Sequence, residues 1–323
     1  MDRHLKLISG TANRKLSEEV SRLLKIPLTP VDIRKFSDGE IYCRILESVR
    51  GCDVYIIQPT SEDANHNLME LLIMVDALKR SSPDKITAVV PYFGYCRQDK
   101  KTKAREPITS KLVANIIETA GVGRIMIFDL HVPQVQGFFD IPSDNFDLIP
   151  QFLEYILSKK FKDIVIVSPD AGGASRARSF AKVLNAPIAI IDKRRPQPNV
   201  AEVQNVIGDV KGKVAFIVDD LVDTAGSITE GASILKKFGA KEVYAIATHG
   251  VLSGPAIERI KKSELKELVI TNTISLPDEK KLAKIKVISI GPILAETIRR
   301  SHQGLPMGVV YEDLYKKLEK KIQ

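Results

Sequence analysis

The chain has 323 residues, 44% of them hydrophobic and 27% charged, which is ordinary for a folded globular protein, does not indicate disorder and leaves enough apolar side chains for a sizeable core, with two domains the default at this length. Its 48 basic and 40 acidic residues leave a formal charge of +8, which suits phosphorylated small molecules or a nucleic-acid backbone without choosing between them. Cys43, Cys52 and Cys96 show no CxxC or Cys/His metal spacing, so a disulfide framework and a zinc site are not expected and a reducing cytoplasm fits best. The opening MDRHLKLISGTANRKL carries charge throughout and does not read as a signal peptide, and no run approaches the ~18–20 apolar residues of a membrane span.

Short runs rich in Val and Ile, without strict alternation, predict strands buried on both faces. In chain order they cover 54–58, 86–91, 124–130, 163–168, 187–191, 214–219, 242–249, 267–272 and 285–290. Between them the spacing predicts helices over 65–81, over 105–121 with Pro107 near its start and Gly121 at its end, and over 227–240 ending at Gly239. Strand–helix alternation over this length argues for α/β units with mostly parallel sheets. The stretch FFDIPSDNFDLIP (138–150), with two prolines and polar punctuation, marks a domain boundary. The expected division is 1–145 and 146–302, with the tail 303–323 a candidate to pack on the first domain.

Ligands of open parallel sheets sit beyond the carboxyl ends of strands, so strand ends are where chemistry is expected. VAFIVDDLVDTAGS (214–227) runs a strand into Asp219, Asp220 and Asp223, then into a small-residue turn and a helix. A helix N-terminus attracts phosphate, Thr224 and Ser227 add hydroxyl donors, and Gly226 allows close approach. The acid pair accepts well from a sugar diol and can also hold Mg²⁺. A phosphate pocket beside a diol pocket describes a ribose 5-phosphate; the plainer reading is capping acids before an ordinary turn. Elsewhere IFDLH ends a strand with Asp129 and His131, and a lone histidine is more often structural. SPDAGGASR offers Asp170 as a cation ligand and Gly172 and Gly173 as backbone free to approach phosphate, or a simple helix entry. RQDKK follows another strand, with Arg97 suited to phosphate oxygens and Gln98 and Asp99 to nucleotide groups. DKRRPQPN (192–199) is a basic, proline-bounded segment suited to closing over a phosphoryl-transfer site, although most charge runs are solvated loops. There is no GxxxxGK[ST], since GDVKGKV (208–214) has the wrong spacing, and no kinase-like HRD set.

These segments, with FSDGE (36–40), PYFGYCRQDKK (91–101), REPITSKLVAN (105–115), DLHVPQVQGFFDIP (129–142), VSPDAGG (167–173) and DKRRPQPNVAE (192–202), resemble class I ribose-phosphate pyrophosphokinase (PRPP synthetase) over nearly the whole chain. The resemblance implies two similar type I phosphoribosyltransferase-like domains, each a mostly parallel sheet flanked by helices. It implies transfer of the β,γ-diphosphate of Mg·ATP to the C1 hydroxyl of ribose 5-phosphate, giving AMP and PRPP for nucleotide and amino-acid biosynthesis. It implies that Lys193 and Arg195 are catalytic, Arg195 also touching ribose 5-phosphate. ATP falls to Phe36, Asp38, Gly39, Glu40, Arg97, Gln98, Asp99 and His131. The diol falls to Asp219 and Asp220, and the 5-phosphate to Asp223, Thr224, Ala225, Gly226 and Ser227. The pyrophosphate loop is Asp170, Ala171, Gly172 and Gly173, with no separate role for Ala171, and Mg²⁺ is assigned to His131 and Asp170. Phosphate and ADP are implied as effectors at Ser48, Arg50, Lys100, Thr102, Lys103, Arg105, Ser301 and His302, in a homohexamer built of dimers. The tail HQGLPMGVVYEDLYKKLEKKIQ departs from the shorter C-terminus expected of the family, which puts ADP inhibition in question.

Three other readings compete. A PRPP-consuming phosphoribosyltransferase would share the 219–227 loop but needs no ATP constellation at 97–99 and 131. A non-catalytic regulatory relative would carry altered site loops, whereas Lys193, Arg195, His131 and Asp170 are intact. An RNA-binding regulator is allowed by the charge, yet no aromatic-interleaved basic platform is present, so neither nucleic acid nor membrane is expected as a partner.

Overall fold

A computed structural model describes residues 4–194 and 203–322. It divides into two compact units, one of Met1–Asp147, Thr273–Ser275 and Ser289–Val310, the other of Leu148–Asn272, Leu276–Ile288 and Tyr311–Gln323.

The first unit runs β1 (Leu5–Ser9), α1 (Arg14–Leu24), the antiparallel pair β2 (Val31–Lys35) and β3 (Ile41–Ile45), β4 (Asp53–Ile57), α2 (Ala64–Lys79), β5 (Lys85–Val90), α3 (Thr109–Ala120), β6 (Arg124–Phe128), a 3₁₀ turn at Pro133–Phe138 and β7 (Ser143–Phe146). Five parallel strands form the sheet in the order β1-β4-β5-β6-β7. The burial explains the unbroken apolar runs: every residue of β4 is buried, and Ile56, Ala88 and Ile127 share a core with Leu71, Met74 and Ile117.

The second unit runs α4 (Ile149–Ser158), β8 (Ile164–Ser168), α5 (Ala174–Leu184), β9 (Ile188–Arg194), β10 (Val203–Ile207), β11 (Val214–Val222), α6 (Gly226–Lys237), β12 (Glu242–Gly250), α7 (Ala256–Lys262), β13 (Glu267–Thr271), a 3₁₀ turn at Asp278–Lys280 and β14 (Ile285–Ile288). The sheet order is β10-β9-β8-β11-β12-β13-β14, parallel except where β10 meets β9. Without β9 and β10, the order β8-β11-β12-β13-β14 repeats the first sheet. Both units therefore follow one plan: strand, helix, antiparallel pair, then four more parallel strands with helical crossovers.

All nine expected strands are present, with ends shifted by a few residues. The expected helix over 105–121 starts later, at Thr109, because Arg105 is in the left-handed region (φ 67°) and breaks the turn before Pro107. The strands β1, β2, β3, β7 and β10 were not among those expected. β2 and β7 are short and rich in polar residues, and β3, though more apolar, is only partly buried, so backbone pairing is what marks the three.

The C-terminal stretch divides between the units. Helix α8 (Gly291–Gln303) groups with the first unit, where Ser289 donates to Glu19 Oε1 at 2.7 Å and a Cβ on Gly291 would meet Glu19 at 2.5 Å. In α9 (Gly308–Ile322) Leu318 is buried and Lys321 pairs with Glu154 of α4. Residues 311–323 thus group with the second unit, by way of this helix, where the sequence suggested the first.

Candidate active site

In the second unit, β11 runs four residues past its apolar run, to Val222, so both Asp219 and Asp220 lie within the strand. Asp220 is buried, at 6% exposure, and Asp219 is partly buried and accepts the Asp220 N–H at 2.9 Å. Burial first, then the neighbouring Asp220 carboxylate, pushes the Asp219 carboxyl up to about 7, and Arg176 offsets only part of that. Charge here is costly until something that donates hydrogen bonds or carries positive charge arrives.

This has a measurable consequence for stability. The ordinary value is 3.8, so between pH ~4 and ~7 the folded chain keeps a proton that the unfolded chain has lost. Stability contributed by this group is therefore present at low pH and lost as pH rises through about 7. Asp219→Asn should melt like wild type near pH 4 and several degrees higher at pH 8, at roughly 2–4 °C per kcal/mol for a domain of this size. Parallel melting curves at the two pH values check it; an equal gain at both would show that the carboxylate is not strained by its neighbours.

The turn after β11 is arranged around its carbonyls. Val222 O accepts from Leu252 N at 3.0 Å, Asp223 O from Ser253 N at 2.9 Å, Thr224 O from Arg259 Nη1 at 3.0 Å, and Ala225 O from Thr229 N at 3.2 Å and Thr229 Oγ1 at 2.7 Å. Among the described residues none accepts from the N–H groups of Thr224, Ala225, Gly226 or Ser227, and α6 has no side-chain cap. Ala225 holds the turn in the left-handed region at φ 59°. Four consecutive carbonyls are anchored while four consecutive N–H groups stay open at a helix N-terminus, which is an anion cradle.

The turn after β8 is exposed, but two of its N–H groups are taken within the loop, Gly173 by Asp170 and Ala174 by Ala171. Gly173 begins α5 without a side-chain cap; its N–H donates to Asp170 Oδ1 at 2.9 Å, and a Cβ there would meet Ser168 Oγ at 2.8 Å. Asp170, Ala171 and Gly172 are exposed. The structure therefore uses Asp170 to shape the loop, through one oxygen. Arg195 lies outside the described residues, and Lys193 is described by its backbone alone, paired with Gln204 in the β9–β10 ladder.

The matching turns of the first unit are closed by its own side chains. Glu70, 1% exposed, accepts from Thr11 N and Thr11 Oγ1, both at 2.7 Å, and from Gln58 Nε2 at 2.8 Å, while Gln58 Oε1 takes Ala12 N at 3.2 Å. Asn13 caps α1 and Asp63 caps α2. The candidate ATP residues of this unit sit on other loops. Asp129, buried and left-handed at φ 44°, ends β6, and exposed His131 follows. Arg97 and Gln98 are exposed on the long loop after β5, Asp99 partly so, and Gln98 Oε1 accepts from Thr109 Oγ1 at 2.6 Å. That loop is fixed at its root, where Gly94 N donates to Thr60 Oγ1 at 2.7 Å and a Cβ would lie 2.4 Å from Thr60 O. At the hairpin tip Phe36 is 52% exposed, Asp38 Oδ1 accepts Glu40 N at 3.1 Å, and Gly39 takes φ 97°. An aromatic face that exposed is suited to stacking on a flat ligand.

The candidate effector residues fall in several places within the first unit. Ser48 and Arg50 are exposed before β4. Lys100, Thr102, Lys103 and Arg105 lie on the loop after β5, where Glu106 accepts from Thr102 N and Lys103 N at 2.8 Å and from Thr102 Oγ1 at 2.7 Å, bonds that hold its carboxyl below the usual range. Ser301 and His302 end α8 against the start of β4, where His302 Nδ1 lies 2.9 Å from Asp53 Oδ2. Two contributors were not visible as site residues in the sequence. Arg259 sits in a short charged helix that reads as a solvated face, and Glu70 in an amphipathic stretch.

Comparison with known proteins agrees with this geometry. Residues 5–121 match the family model for the N-terminal domain of ribose phosphate pyrophosphokinase, and residues 193–312 match that of the phosphoribosyl synthetase-associated domain. The chain is 56% identical over 302 residues to the ribose-phosphate pyrophosphokinase of Bacillus subtilis (strain 168), covering 94% of this chain and 95% of that one. To that of Corynebacterium ammoniagenes it is 53% identical over 311 residues, covering 96% and 98%. The crystal structure of phosphoribosylpyrophosphate synthetase from Mycobacterium smegmatis superimposes with a TM-score of 0.89 at 42% identity, covering 94% of this chain and 100% of that one. With two curated relatives above half identity over nearly their full lengths, and an open phosphate cradle beside paired aspartates, the chain belongs to the ribose-phosphate pyrophosphokinase family.

Proposed function

We propose that this chain transfers the β,γ-diphosphate of ATP to the C1 hydroxyl of ribose 5-phosphate, producing PRPP and AMP. The observation that carries the reading is the open cradle at 224–227 beside the Asp219–Asp220 pair. The cradle N–H groups take the 5-phosphate, and the two carboxylates take the ribose diol, whose hydroxyls donate to them. The C1 oxygen then attacks the β-phosphorus, the bond from that phosphorus to the α–β bridging oxygen breaks, AMP leaves with the bridging oxygen, and the C1 hydroxyl proton passes to solvent. Lys193 and Arg195 neutralise charge moving toward the leaving group, and electrostatics suffice without a dedicated base. Phe36, Asp38, Gly39 and Glu40 receive the adenine, and Arg97, Gln98, Asp99 and His131 the rest of ATP.

Mg²⁺ belongs to the same reading. Among the described residues no three His, Cys, Asp or Glu side chains gather to cage a metal. Loops that offer one imidazole or carboxylate each fit an ion that completes its shell with phosphate oxygens and water. His131 and Asp170 are the residues that would serve Mg²⁺, each at a strand end of its own unit. Bound with ATP, the ion supplies charge neutralisation at the phosphate oxygens. His131→Ala should raise the Mg²⁺ concentration needed for half-maximal rate, by about tenfold for the loss of one ligand-oriented contact. A metal titration superimposable on wild type would remove His131 from this role.

Phosphate and ADP as effectors, a homohexamer and a cytoplasmic location complete the reading. Among the described residues no helix is long and apolar enough to cross a membrane. Light scattering of the purified chain tests the assembly, and a monomer in solution would reject the hexamer. The activity is tested by phosphorus NMR of ATP, Mg²⁺ and ribose 5-phosphate with the protein. PRPP and AMP should appear in equal amounts; ADP as the nucleotide product, or no reaction, would overturn the proposal.

A further inference from the structure

The cradle at 224–227 owes its shape to where its carbonyls point, and its four anchors differ in kind. Val222 and Asp223 are held by the main chain of Leu252 and Ser253, and Ala225 by Thr229 of its own helix. Thr224 O alone depends on a side chain from another element: Arg259 of α7, 35 residues away, donates Nη1 to it at 3.0 Å. A trans peptide is planar, so its C=O and the following N–H point in opposite directions. Drawing the Thr224 carbonyl toward α7 therefore turns the Ala225 N–H the other way, into the group of open N–H donors. The same bond holds Ala225 at φ 59°, a backbone region that costs an alanine free energy unless its neighbours fix it.

We infer that Arg259 is a positioning residue for ribose 5-phosphate. It sets the peptide between Thr224 and Ala225 so that the phosphate-facing N–H groups are in place before the substrate arrives. This rests on the proposed function, because the ligand it serves is the 5-phosphate of that reading. Arg259 is exposed and packs no core, so its loss spares the fold. A pre-set donor lost from a phosphate site weakens binding of that substrate and leaves the other substrate and the chemical step nearly alone.

The test compares wild type, Arg259→Ala and Arg259→Lys by calorimetric titration with ribose 5-phosphate and by steady-state kinetics for both substrates, at low and high salt, beside thermal melts. Arg259→Ala should weaken ribose 5-phosphate about tenfold in Kd and KM, the scale of one charge-assisted hydrogen bond, with KM for ATP and kcat at saturation within about threefold. Arg259→Lys, which retains one donor, should regain most of the loss. The ratio between wild type and Arg259→Ala should persist at high salt, because a positional effect is not screened. An unchanged ribose 5-phosphate affinity, equal losses for both substrates, or a ratio that disappears in salt would each overturn the assignment. If Arg259→Ala does not fold, Arg259→Lys at wild-type affinity with a normal melt keeps the inference, and Arg259→Lys as weak as a tenfold loss overturns it. A wild type that neither binds ribose 5-phosphate nor makes PRPP overturns the function as well; one that does both isolates any failure to Arg259.

Discussion

Lys193→Ala is expected to fold, bind ATP nearly as wild type does, and lose about 10²–10³-fold in kcat. The β9–β10 ladder at this position is made by the backbone, with Lys193 opposite Gln204, so strand pairing does not require the lysine side chain. In the proposed reaction the side chain contributes a positive charge for the moment when negative charge moves from the β-phosphorus toward the leaving AMP. An interaction made only then lowers kcat when removed and spares ground-state binding. Steady-state kinetics, thermal melts and an ATP titration on one preparation decide the matter. A kcat within a few-fold of wild type would leave residues 192–199 a solvated basic run and remove the lysine from the chemistry.

Asp220→Asn should weaken ribose 5-phosphate by roughly 10–100-fold while changing KM for ATP little, on the scale of a charged acceptor lost to a pair of hydroxyl donors. The substitution keeps the size of a side chain that is only 6% exposed, so it tests charge rather than packing. It also removes one of the two causes that push the Asp219 carboxyl up, so the pH at which Asp219 titrates should fall in the same variant. Carbon-13 NMR of the carboxyl carbons of labelled protein would follow that titration. Equal losses for ATP and ribose 5-phosphate would instead mark Asp220 as a support for the unit as a whole.

Much of the architecture was legible because buried parallel strands leave unbroken apolar runs, as β4 and β5 do. The 36–40 hairpin was not, since β2 and β3 are half-exposed strands of mixed polarity whose pairing is a long-range backbone event. The phosphate cradle could be located from DTAGS, but its geometry could not. The left-handed Ala225 and the Arg259 bond depend on a segment 35 residues further on. The expected strand ended at Asp219, while the backbone continues pairing through Asp219 to Val222, with partners in β12 that no local pattern reveals. The sequence likewise carried no sign that Glu70 would enter the turn after β1, because a glutamate in an amphipathic helix reads as solvated until its partners Thr11 and Gln58 are seen.

Glu70 in that turn has a consequence for how substrate binding can be watched. Thr11 and Ala12 donate their N–H groups to side chains of their own unit, as Leu16 and His66 do to the caps Asn13 and Asp63. Their hydrogen exchange with solvent is set by local opening of the fold, with or without ligand. The N–H groups of Thr224, Ala225, Gly226 and Ser227 have no such intrachain acceptor among the described residues, so under the proposed function their exchange should slow when the 5-phosphate fills the cradle. One chain thus carries silent amides at strand-end turns of one repeat and reporting amides at a strand-end turn of the other. The first set calibrates the second, and occupancy can be read without a label or a turnover assay.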